Sequence, residues 1–404
     1  MVLIYGIRHS FAVFFPPILE EFGWSRGSTA AMYSLNVLVY GLLAPVAGGV
    51  ADRWKPRRVI PTGVAILALA TAGCAFVTEL WHFYLLFGVM MPVGTAFCGW
   101  PVLGPALANW FSRRRGLAIG LGQAGAGLSY VYAMFAEFAI SQVAWRYAYF
   151  VLAGMLLAFL VPLCRLLYYR PETRGLEPYG ADGVPAADST AGVRVSKDLQ
   201  GGDWTLRSAV KTYRLWFMLL SFFAFWGMGN YLILAHQVRF VEDAGYSSGF
   251  AASVFALFGV SMIAGQVSSS ISDRIGREAT VALAGALAMG AMAALLLVRD
   301  TSQPWLLYAH SVALGLGAGL YSPTSVAAMA DMFHGRHFGA IAGLLLTGQG
   351  LGGAIGPWLA GRIYDISGSY TAAIVISMVS YGLAAVALFI AAPRKGSGLR
   401  ATRT

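Results

Sequence analysis

Residues 51–57 read Ala-Asp-Arg-Trp-Lys-Pro-Arg, and residues 272–277 read Ser-Asp-Arg-Ile-Gly-Arg. Each stretch directly follows a long apolar segment, and Asp273 lies 221 residues after Asp52. A charged loop that recurs in this form, at one fixed distance, is the first indication that the chain contains two similar halves.

A second pair of stretches repeats with nearly the same offset. Residues 99–101 read Gly-Trp-Pro and residues 321–323 read Tyr-Ser-Pro, and each stretch leads to a phenylalanine, at Phe111 and Phe333. The two phenylalanines lie 222 residues apart. Two matching offsets predict a parallel internal duplication of the chain.

The composition is that of a membrane protein. Hydrophobic residues make up 58% of the 404 residues, charged residues only 11%, and the mean hydropathy is +0.65, which is outside the range of ordinary soluble domains. The net charge of +10 does not indicate nucleic-acid binding, because the basic residues lie in short loops between apolar segments. We therefore expect lipid, and not nucleic acid, as the surroundings of this chain.

Twelve apolar segments reach the length that a membrane-spanning helix needs. They lie at 2–20, 28–50, 58–78, 82–110, 116–140, 145–168, 213–238, 249–270, 279–298, 303–330, 338–362 and 371–392. A polar, turn-rich stretch divides them after the sixth. The sequence thus predicts an all-α membrane protein with a first six-helix bundle at 1–169, a cytoplasmic linker at 170–212, and a second six-helix bundle with a short tail at 213–404.

The distribution of basic residues predicts the orientation. With the N-terminus inside, the inward loops and tail hold Arg53, Lys55, Arg57, Arg58, Arg113, Arg114, Arg115, Arg274, Arg277, Arg336, Arg394 and Lys395. The outward loops hold only Arg26, Arg146, Arg239, Arg299 and Arg362. Because positive loops stay in the cytoplasm, both termini are predicted to be cytoplasmic in a multi-pass protein of the cell inner membrane.

An ionisable pair interrupts the first apolar segment. Residues 5–15 read Tyr-Gly-Ile-Arg-His-Ser-Phe-Ala-Val-Phe-Phe, which puts Arg8 and His9 inside a stretch of membrane-spanning length. A charge within a membrane helix is costly and marks a functional site by default. The alternative is that Arg8 extends to the cytoplasmic surface, which is only about 10 Å away along a helix.

The duplicated loop resembles a known family motif. Residues 48–53, Gly-Gly-Val-Ala-Asp-Arg, together with Arg57, are similar to the loop between helices two and three of major facilitator transporters, and 273–277 resemble the second copy. The resemblance implies a charge latch that breaks when two bundles rock. Its members would be Asp52, Arg53, Arg57, Asp273, Arg274 and Arg277. The alternative is that these charges serve membrane topology alone.

The first predicted helix resembles one particular family within this superfamily. Residues 5–15, followed by Glu-Glu-Phe-Gly-Trp-Ser-Arg at 20–26, and the run 109–118 resemble the monocarboxylate transporter family and its bacterial relatives, including the oxalate/formate branch. The resemblance implies twelve transmembrane helices in two bundles, with a substrate site near the midplane. It also implies that His9 stands where animal carriers place a substrate-binding lysine, with Tyr5 on an aromatic position one turn earlier.

The eighth segment departs from the family pattern. Where the pattern has an arginine and, one turn earlier, an aspartate, this chain has Gly265 and Ser261. The substrate cation is therefore expected from Arg8, because an arginine pairs with a carboxylate through two hydrogen bonds. The predicted substrate-binding residues are Arg8, His9, Tyr5, Asn36, Trp100, Tyr321 and Gln266. The candidates for proton coupling are His9, Glu137 and His310.

These observations predict a secondary active transporter. The expected substrate is a small organic anion, a monocarboxylate such as lactate or pyruvate, carried with a proton by alternating access in a monomer. No cofactor and no metal are expected, since Cys74, Cys98 and Cys164 lack metal-ligand spacing. No cluster of nucleophile, base and orienting group suggests an enzyme. The alternatives are an exporter of amphipathic or neutral compounds and a non-transporting membrane sensor.

Overall fold

The computed structural model describes residues 1–53, 56–111, 115–166, 204–333 and 338–392, together with four isolated positions of the linker, 171, 175, 177 and 179. The continuous ranges are helical almost throughout. Ten helices within them are long and apolar enough to cross a membrane. The longest of these, Leu121–Cys164, bends and forms two spans. The 30-residue helix Phe338–Ser367 is a further span, so the described part of the chain has twelve.

The first six spans are α1 to α6. Their bounds are Val2–His9 and Phe11–Phe22 for α1, Arg26–Arg53 for α2, Pro56–Gly73 for α3, Leu80–Phe83, Tyr84–Met90, Met91–Cys98 and Trp100–Trp110 for α4, Arg115–Leu128 and 132–143 for α5, and 145–166 for α6. The chain is helical over Tyr132–Leu166 apart from Ala144, whose φ of 63° and ψ of 157° bend it. That bend separates α5 from α6 near the predicted boundary.

The last six spans are α7 to α12. Their bounds are Tyr213–Phe222, Phe223–Tyr231 and Leu232–Leu234 for α7, Ser248–Ser268 for α8, Arg277–Leu297 for α9, Pro304–Met332 for α10, Phe338–Ser367 for α11 and Thr371–Ala391 for α12. A short helix, Gln237–Asp243, joins α7 to α8. All twelve predicted segments therefore correspond to helices.

Several spans contain irregular turns that the sequence did not predict. The segments Tyr84–Met90 of α4 and Phe223–Tyr231 of α7 are π-helical, and α5 is interrupted by a turn at 129–131. A π-helical turn displaces backbone carbonyl groups from their usual partners. Asn36 Nδ2 donates a hydrogen bond to the Phe87 carbonyl oxygen at 2.7 Å, and this contact ties α2 to the irregular part of α4.

We call the end of the molecule that carries Glu20 and Arg26 the outer face, since the loop charges predict it to be extracellular, and the opposite end the inner face. Helices α2 and α11 pack together from the outer face to the middle of the molecule. Gly41 and Gly350 mark the inner end of this contact, because a methyl group built on Gly41 lies 3.3 Å from the Gly350 Cα. Nearer the inner face, methyl groups built on Gly49 and Gly343 meet nothing within 4 Å. The backbones of the two helices therefore touch toward the outer face, while Gly49 and Gly343 have open space beside them toward the inner face.

Candidate functional site

Arg8 lies where the two halves of the chain meet. Its side chain is 4% exposed, although it is carried by the membrane-spanning helix α1. The guanidinium carbon lies 5.2 Å from the ring centre of Tyr40 and 5.7 Å from the ring centres of Tyr33 and Tyr231. Tyr33 and Tyr40 come from one face of α2, seven residues apart, and Tyr231 comes from α7 in the other half. The rings surround the guanidinium from both halves.

No carboxylate of the described residues forms a salt bridge with Arg8. Its Nε is buried and has no hydrogen-bond partner in this part of the chain. Aromatic rings attract a cation through their faces, but they supply no compensating negative charge. Arg8 is enclosed between helices and does not extend to the inner face. A buried cation of this kind is suited to an anion that arrives from solution.

Tyr5 holds this aromatic group in place. Its hydroxyl lies 2.7 Å from the Tyr40 hydroxyl, and the Trp100 backbone N–H donates to the Tyr5 oxygen at 3.1 Å. The Trp100 side chain itself lies beside Gly104 and Gly122, between α4 and α5. Tyr5 is therefore linked to the surroundings of Arg8 through its side chain, and Trp100 through its backbone.

His9 faces the interrupted part of α5. Its Nδ1 lies 2.7 Å from the Ser129 hydroxyl oxygen, and that hydroxyl donates its proton to the Ala126 carbonyl oxygen. Because the hydroxyl proton is used in this way, His9 must donate from Nδ1, and Nε2 is the nitrogen that can accept a proton. The imidazole also stacks on Tyr130, with ring centres 3.9 Å apart. Arg8 and His9 are thus neighbours in sequence that face different helices.

The remaining predicted substrate residues make their described polar contacts with groups other than Arg8. Asn36 uses its amide nitrogen on the Phe87 carbonyl. Tyr321 is fully buried within the second half, where its hydroxyl lies 2.8 Å from the Ser221 hydroxyl and its ring stacks on Phe225. Gln266 is partly exposed on α8, with its backbone nitrogen beside Gly319 of α10. Tyr321 is thus held within the second half, whereas Asn36 lies between Tyr33 and Tyr40 on α2 and has its amide nitrogen engaged by α4.

The two other proton-coupling candidates are separated from Arg8 as well. Glu137 lies near the outer end of α5, where its carboxylate accepts a hydrogen bond of 3.0 Å from the Ser248 hydroxyl. His310 is fully buried on α10, and its Nδ1 donates to the Ala291 carbonyl oxygen of α9 at 2.9 Å. Neither side chain faces the guanidinium. His9 is the predicted proton group that lies on the same helix turn as Arg8.

The second copy of the predicted charge latch is visible on the inner face. Asp273, in the short helix Ser272–Ile275 after α8, pairs with Arg277 at 2.6 Å, and Arg277 also pairs with Asp331 of α10 at 3.1 Å. Arg274 is exposed. All of these pairs lie within the second half. The side chains of Asp52, Arg53 and Arg57, the first copy, lie outside the described residues.

The departure of α8 from the family pattern has a packing reason. A methyl group built at Gly265 would lie 2.5 Å from the Leu316 carbonyl oxygen of α10. Ser261 points in the same direction, toward Gly315 of α10. Position 265 therefore faces the inside of the second half, and an arginine there would not fit this packing.

A cavity of about 450 Å³ opens at the outer face, between the halves. Helices α1 and α5 form one wall, and the short helix Gln237–Asp243 with the start of α8 forms the other. Its lining residues are Val13, Pro16, Pro17, Glu20, Glu137, Ile140, Ser141, Arg239, Glu242, Asp243, Tyr246 and Ser248. Four of these residues carry a carboxyl group, and one carries a guanidinium group.

The sequence profile of the Major Facilitator Superfamily matches residues 1–312 and 242–404, which together span the chain. The chain belongs to the major facilitator superfamily. This member of the superfamily is 27% identical to Monocarboxylate transporter 13 of Bos taurus over 378 residues, 93% of this chain and 83% of that protein. It is 28% identical to Monocarboxylate transporter 11 of Mus musculus over 404 residues, 97% of this chain and 85% of that protein.

A solved structure agrees with the fold of this major facilitator protein. The bacterial homolog of the human lysosomal transporter Spinster, in an inward-facing and occupied conformation, superposes with a TM-score of 0.68. The match covers 96% of this chain and 94% of that chain at 16% identity. The predicted all-α membrane fold with two six-helix bundles is thus confirmed, as is the resemblance to monocarboxylate transporters. Its relatives are transporters and not enzymes.

Three contacts of the central site could not be assigned from the sequence. Tyr40, Tyr231 and Tyr130 are aromatic residues in apolar helices, and such residues usually serve as packing. The sequence did contain one indication of this group, the seven-residue spacing of Tyr33 and Tyr40. Seven residues are about two helical turns, so both rings lie on the same face of the helix.

Proposed function

We propose that this protein carries a small organic anion, a monocarboxylate of the lactate or pyruvate class, across the membrane by alternating access. The observation that carries the proposal is Arg8, which is buried between the halves, surrounded by three tyrosine rings and free of a salt bridge among the described residues. An anion bound there would touch both halves, because Tyr231 belongs to the second half and Tyr33 to the first.

The charge of the site supports a monoanion. A guanidinium group can hold one carboxylate through two parallel hydrogen bonds, which positions the anion as well as attracting it. The faces of Tyr33, Tyr40 and Tyr231 offer apolar surface to the rest of a small organic acid. One fixed cation balances one carboxylate, so a dicarboxylate would bring an uncompensated charge into the membrane interior. The names of the relatives support the same substrate class.

We assign the accompanying proton to His9. Its Nδ1 is occupied by Ser129, so uptake of a proton falls to Nε2. A protonated imidazole beside Arg8 would be costly in the empty carrier and less so once an anion is bound. This coupling between anion and proton would make the protein a symporter. The latch residues Asp52, Arg53, Arg57, Asp273, Arg274 and Arg277 would then hold the inner face closed in the opposite state.

The proposed setting is the inner membrane of a cell, with a monomeric carrier and both termini in the cytoplasm. The loop charges support this orientation because the cations concentrate on the inner face. On this basis the outer face, where α2 and α11 are closed, faces the exterior. The central site would reach the cytoplasm from the inner face.

Transport of labelled lactate, pyruvate and acetate into proteoliposomes tests the proposal, with and without an inward proton gradient. We expect gradient-stimulated uptake of at least one acid, at least about a hundredfold lower in Arg8→Ala, because an unpaired carboxylate in the membrane costs a few kcal/mol. Arg8→Lys keeps the charge and should retain part of the uptake. Equal uptake by the wild type and Arg8→Ala would refute the assignment of the site.

A second candidate is an exporter of amphipathic or neutral compounds. The surroundings of Arg8 favour it in one respect, since all three rings around the guanidinium are uncharged tyrosines. An amphipathic compound could stack on these rings without a carboxylate. Competition by short-chain acids separates the two functions: inhibition of the transport of a neutral dye by lactate supports the monocarboxylate site, and the absence of inhibition supports the exporter.

A further inference from the structure

The cavity at the outer face is bridged by charged side chains from both halves. Arg239, on the short helix after α7, donates to Glu20 of α1 at 2.8 Å across the boundary between the halves. Its Nε also donates to Asp243 at 3.0 Å. Asp243 in turn accepts a hydrogen bond from Nη2 of Arg26, on α2, at 3.1 Å. At this cavity, ion pairs therefore join α1 and α2 to the second half.

Negative charge exceeds positive charge in this group. The groups around the cavity that carry charge or titrate are Glu20 on α1, Arg26 on α2, Glu137 on α5, Arg239, Glu242 and Asp243 on the short helix, and Tyr246 after it. With every carboxyl group ionised, four carboxylates face two guanidinium groups. The closed arrangement therefore contains repulsion that separation of the halves would relieve.

Glu242 is the least well paired of these carboxyl groups. Its Oε2 lies 3.9 Å from Arg239, whose shorter contacts go to Glu20 and Asp243. The side chain is only 19% exposed. Burial raises the pKa of the Glu242 carboxyl to about 7. Arg239 acts against this rise, and the Glu20, Asp243 and Glu137 carboxylates add to it.

We propose that the carboxyl groups around Arg239 form a proton-operated gate, in which protonation of Glu242 from the outer solution favours the joined halves at the outer face and its ionisation favours their separation. The proposal rests on the alternating access of the proposed function and adds a second proton site, separate from His9. It concerns the equilibrium between two conformations and does not require a bound substrate.

The direction of the effect follows from linkage. Glu242 binds its proton more tightly in the closed arrangement than in an open one, where water surrounds the carboxylate and its pKa falls toward the ordinary value. Protons therefore favour closure. As the pH rises through about 7, Glu242 ionises and the closed arrangement loses stability relative to the open one. The release of one proton changes the ratio of closed to open molecules by at most about tenfold per pH unit.

The test is a distance measurement between the halves at the outer face. Spin labels are placed at Gln142→Cys on α5 and Gln303→Cys before α10, both exposed. The buried native cysteines are replaced by alanine in this background. Pulsed electron spin resonance on the full chain in lipid nanodiscs then gives the distance distribution at pH 5.5, 7.0 and 8.5, with no substrate present. We expect a growing long-distance population as the pH rises.

Glu242→Gln mimics the protonated side chain and should keep the short distance at every pH. Glu79→Gln removes an exposed carboxyl group of the α3–α4 connection outside the cavity and should respond to pH as the wild type does. Glu242→Asp keeps an acid and should retain a response. A wild type without a pH response, or a Glu242→Gln variant with an unchanged one, would overturn the proposal. Because no substrate is used, failure of the monocarboxylate assignment would leave this result unaffected.

Discussion

Gly361 of α11 and Gly27 of α2 touch at the outer face, where a methyl group built on Gly361 would lie 2.6 Å from the Gly27 Cα. The same methyl group would also lie 2.6 Å from the carbonyl carbon and oxygen of Arg26. These are backbone atoms, which cannot rotate away as the end of a side chain can. The contact exists only while the two halves are closed at the outer face.

Gly361→Ala should therefore bias the protein against outer closure. Overpacking of this kind costs roughly 1–3 kcal/mol, so the closed arrangement should lose at least about fivefold in population. The spin-label pair at positions 142 and 303 should report the longer distance at all pH values. The matched control is Gly343→Ala on the same helix, where a built methyl group meets nothing within 4 Å. Equal distances in the two variants would contradict the prediction.

His9→Gln separates hydrogen bonding from proton uptake. The glutamine amide can still donate to the Ser129 hydroxyl, but it has no nitrogen that accepts a proton. We expect proton-driven uptake to fall by about tenfold or more, while exchange of labelled for unlabelled substrate across the liposome membrane continues. Measurement of both rates in one preparation is its own control. Loss of both rates together would assign His9 to substrate binding or folding.

His310→Asn should leave proton-driven uptake nearly unchanged. The asparagine amide can donate to the Ala291 carbonyl in place of Nδ1, and the residue lies between α9 and α10, away from Arg8. We expect uptake within about twofold of the wild type, as for a conservative change outside the site. A loss as large as that of His9→Gln would move the proton path into the second half.

Tyr231 should contribute mainly through its ring. Tyr231→Phe keeps the ring face toward Arg8 but loses the hydroxyl that accepts from Gln349 Nε2 at 2.9 Å. One such hydrogen bond contributes about 1 kcal/mol, so the KM for the acid should rise by about fivefold at most. Tyr231→Ala removes the ring and should raise the KM further. Identical KM values for the two variants would mean that the ring does not face the substrate.

The spans could be predicted because a helix that crosses the bilayer must satisfy its own backbone hydrogen bonds and needs about 20 apolar residues. A run of that length and hydrophobicity can be recognised directly in the sequence. The irregular turns could not. In the π-helical segment of α4, the Phe87 carbonyl accepts a hydrogen bond from Asn36, a residue of another helix. The sequence predicts the fifth segment, 116–140, as one continuous helix, but the helix stops at Leu128 and resumes at Tyr132. Apolar length alone carries no information about such local departures from the regular helix.

The central cation was predictable for a similar reason, since an arginine in an apolar helix is conspicuous. Its partners were not, because a tyrosine that faces a guanidinium and a tyrosine in a packed core look alike in sequence. Trp100 and Tyr321 come from the two corresponding stretches 99–101 and 321–323 of the repeats, yet Tyr321 is held inside its own half by Ser221. Glu137 lies in the cavity at the outer face, a place defined only by the way in which the two halves meet.

Arg8 without a counter-charge has an electrical consequence. If alternating access moves this guanidinium relative to the membrane field, the empty carrier translocates one net positive charge. A bound monoanion would cancel that charge and a proton on His9 would restore it, so the carrier loaded with both translocates the same net charge as the empty one. A voltage of 100 mV then acts on each of the two steps with up to about 2.3 kcal/mol. The two contributions oppose each other over a full cycle, so the resting potential of the cell would change the rates of the single steps without driving net accumulation of the acid.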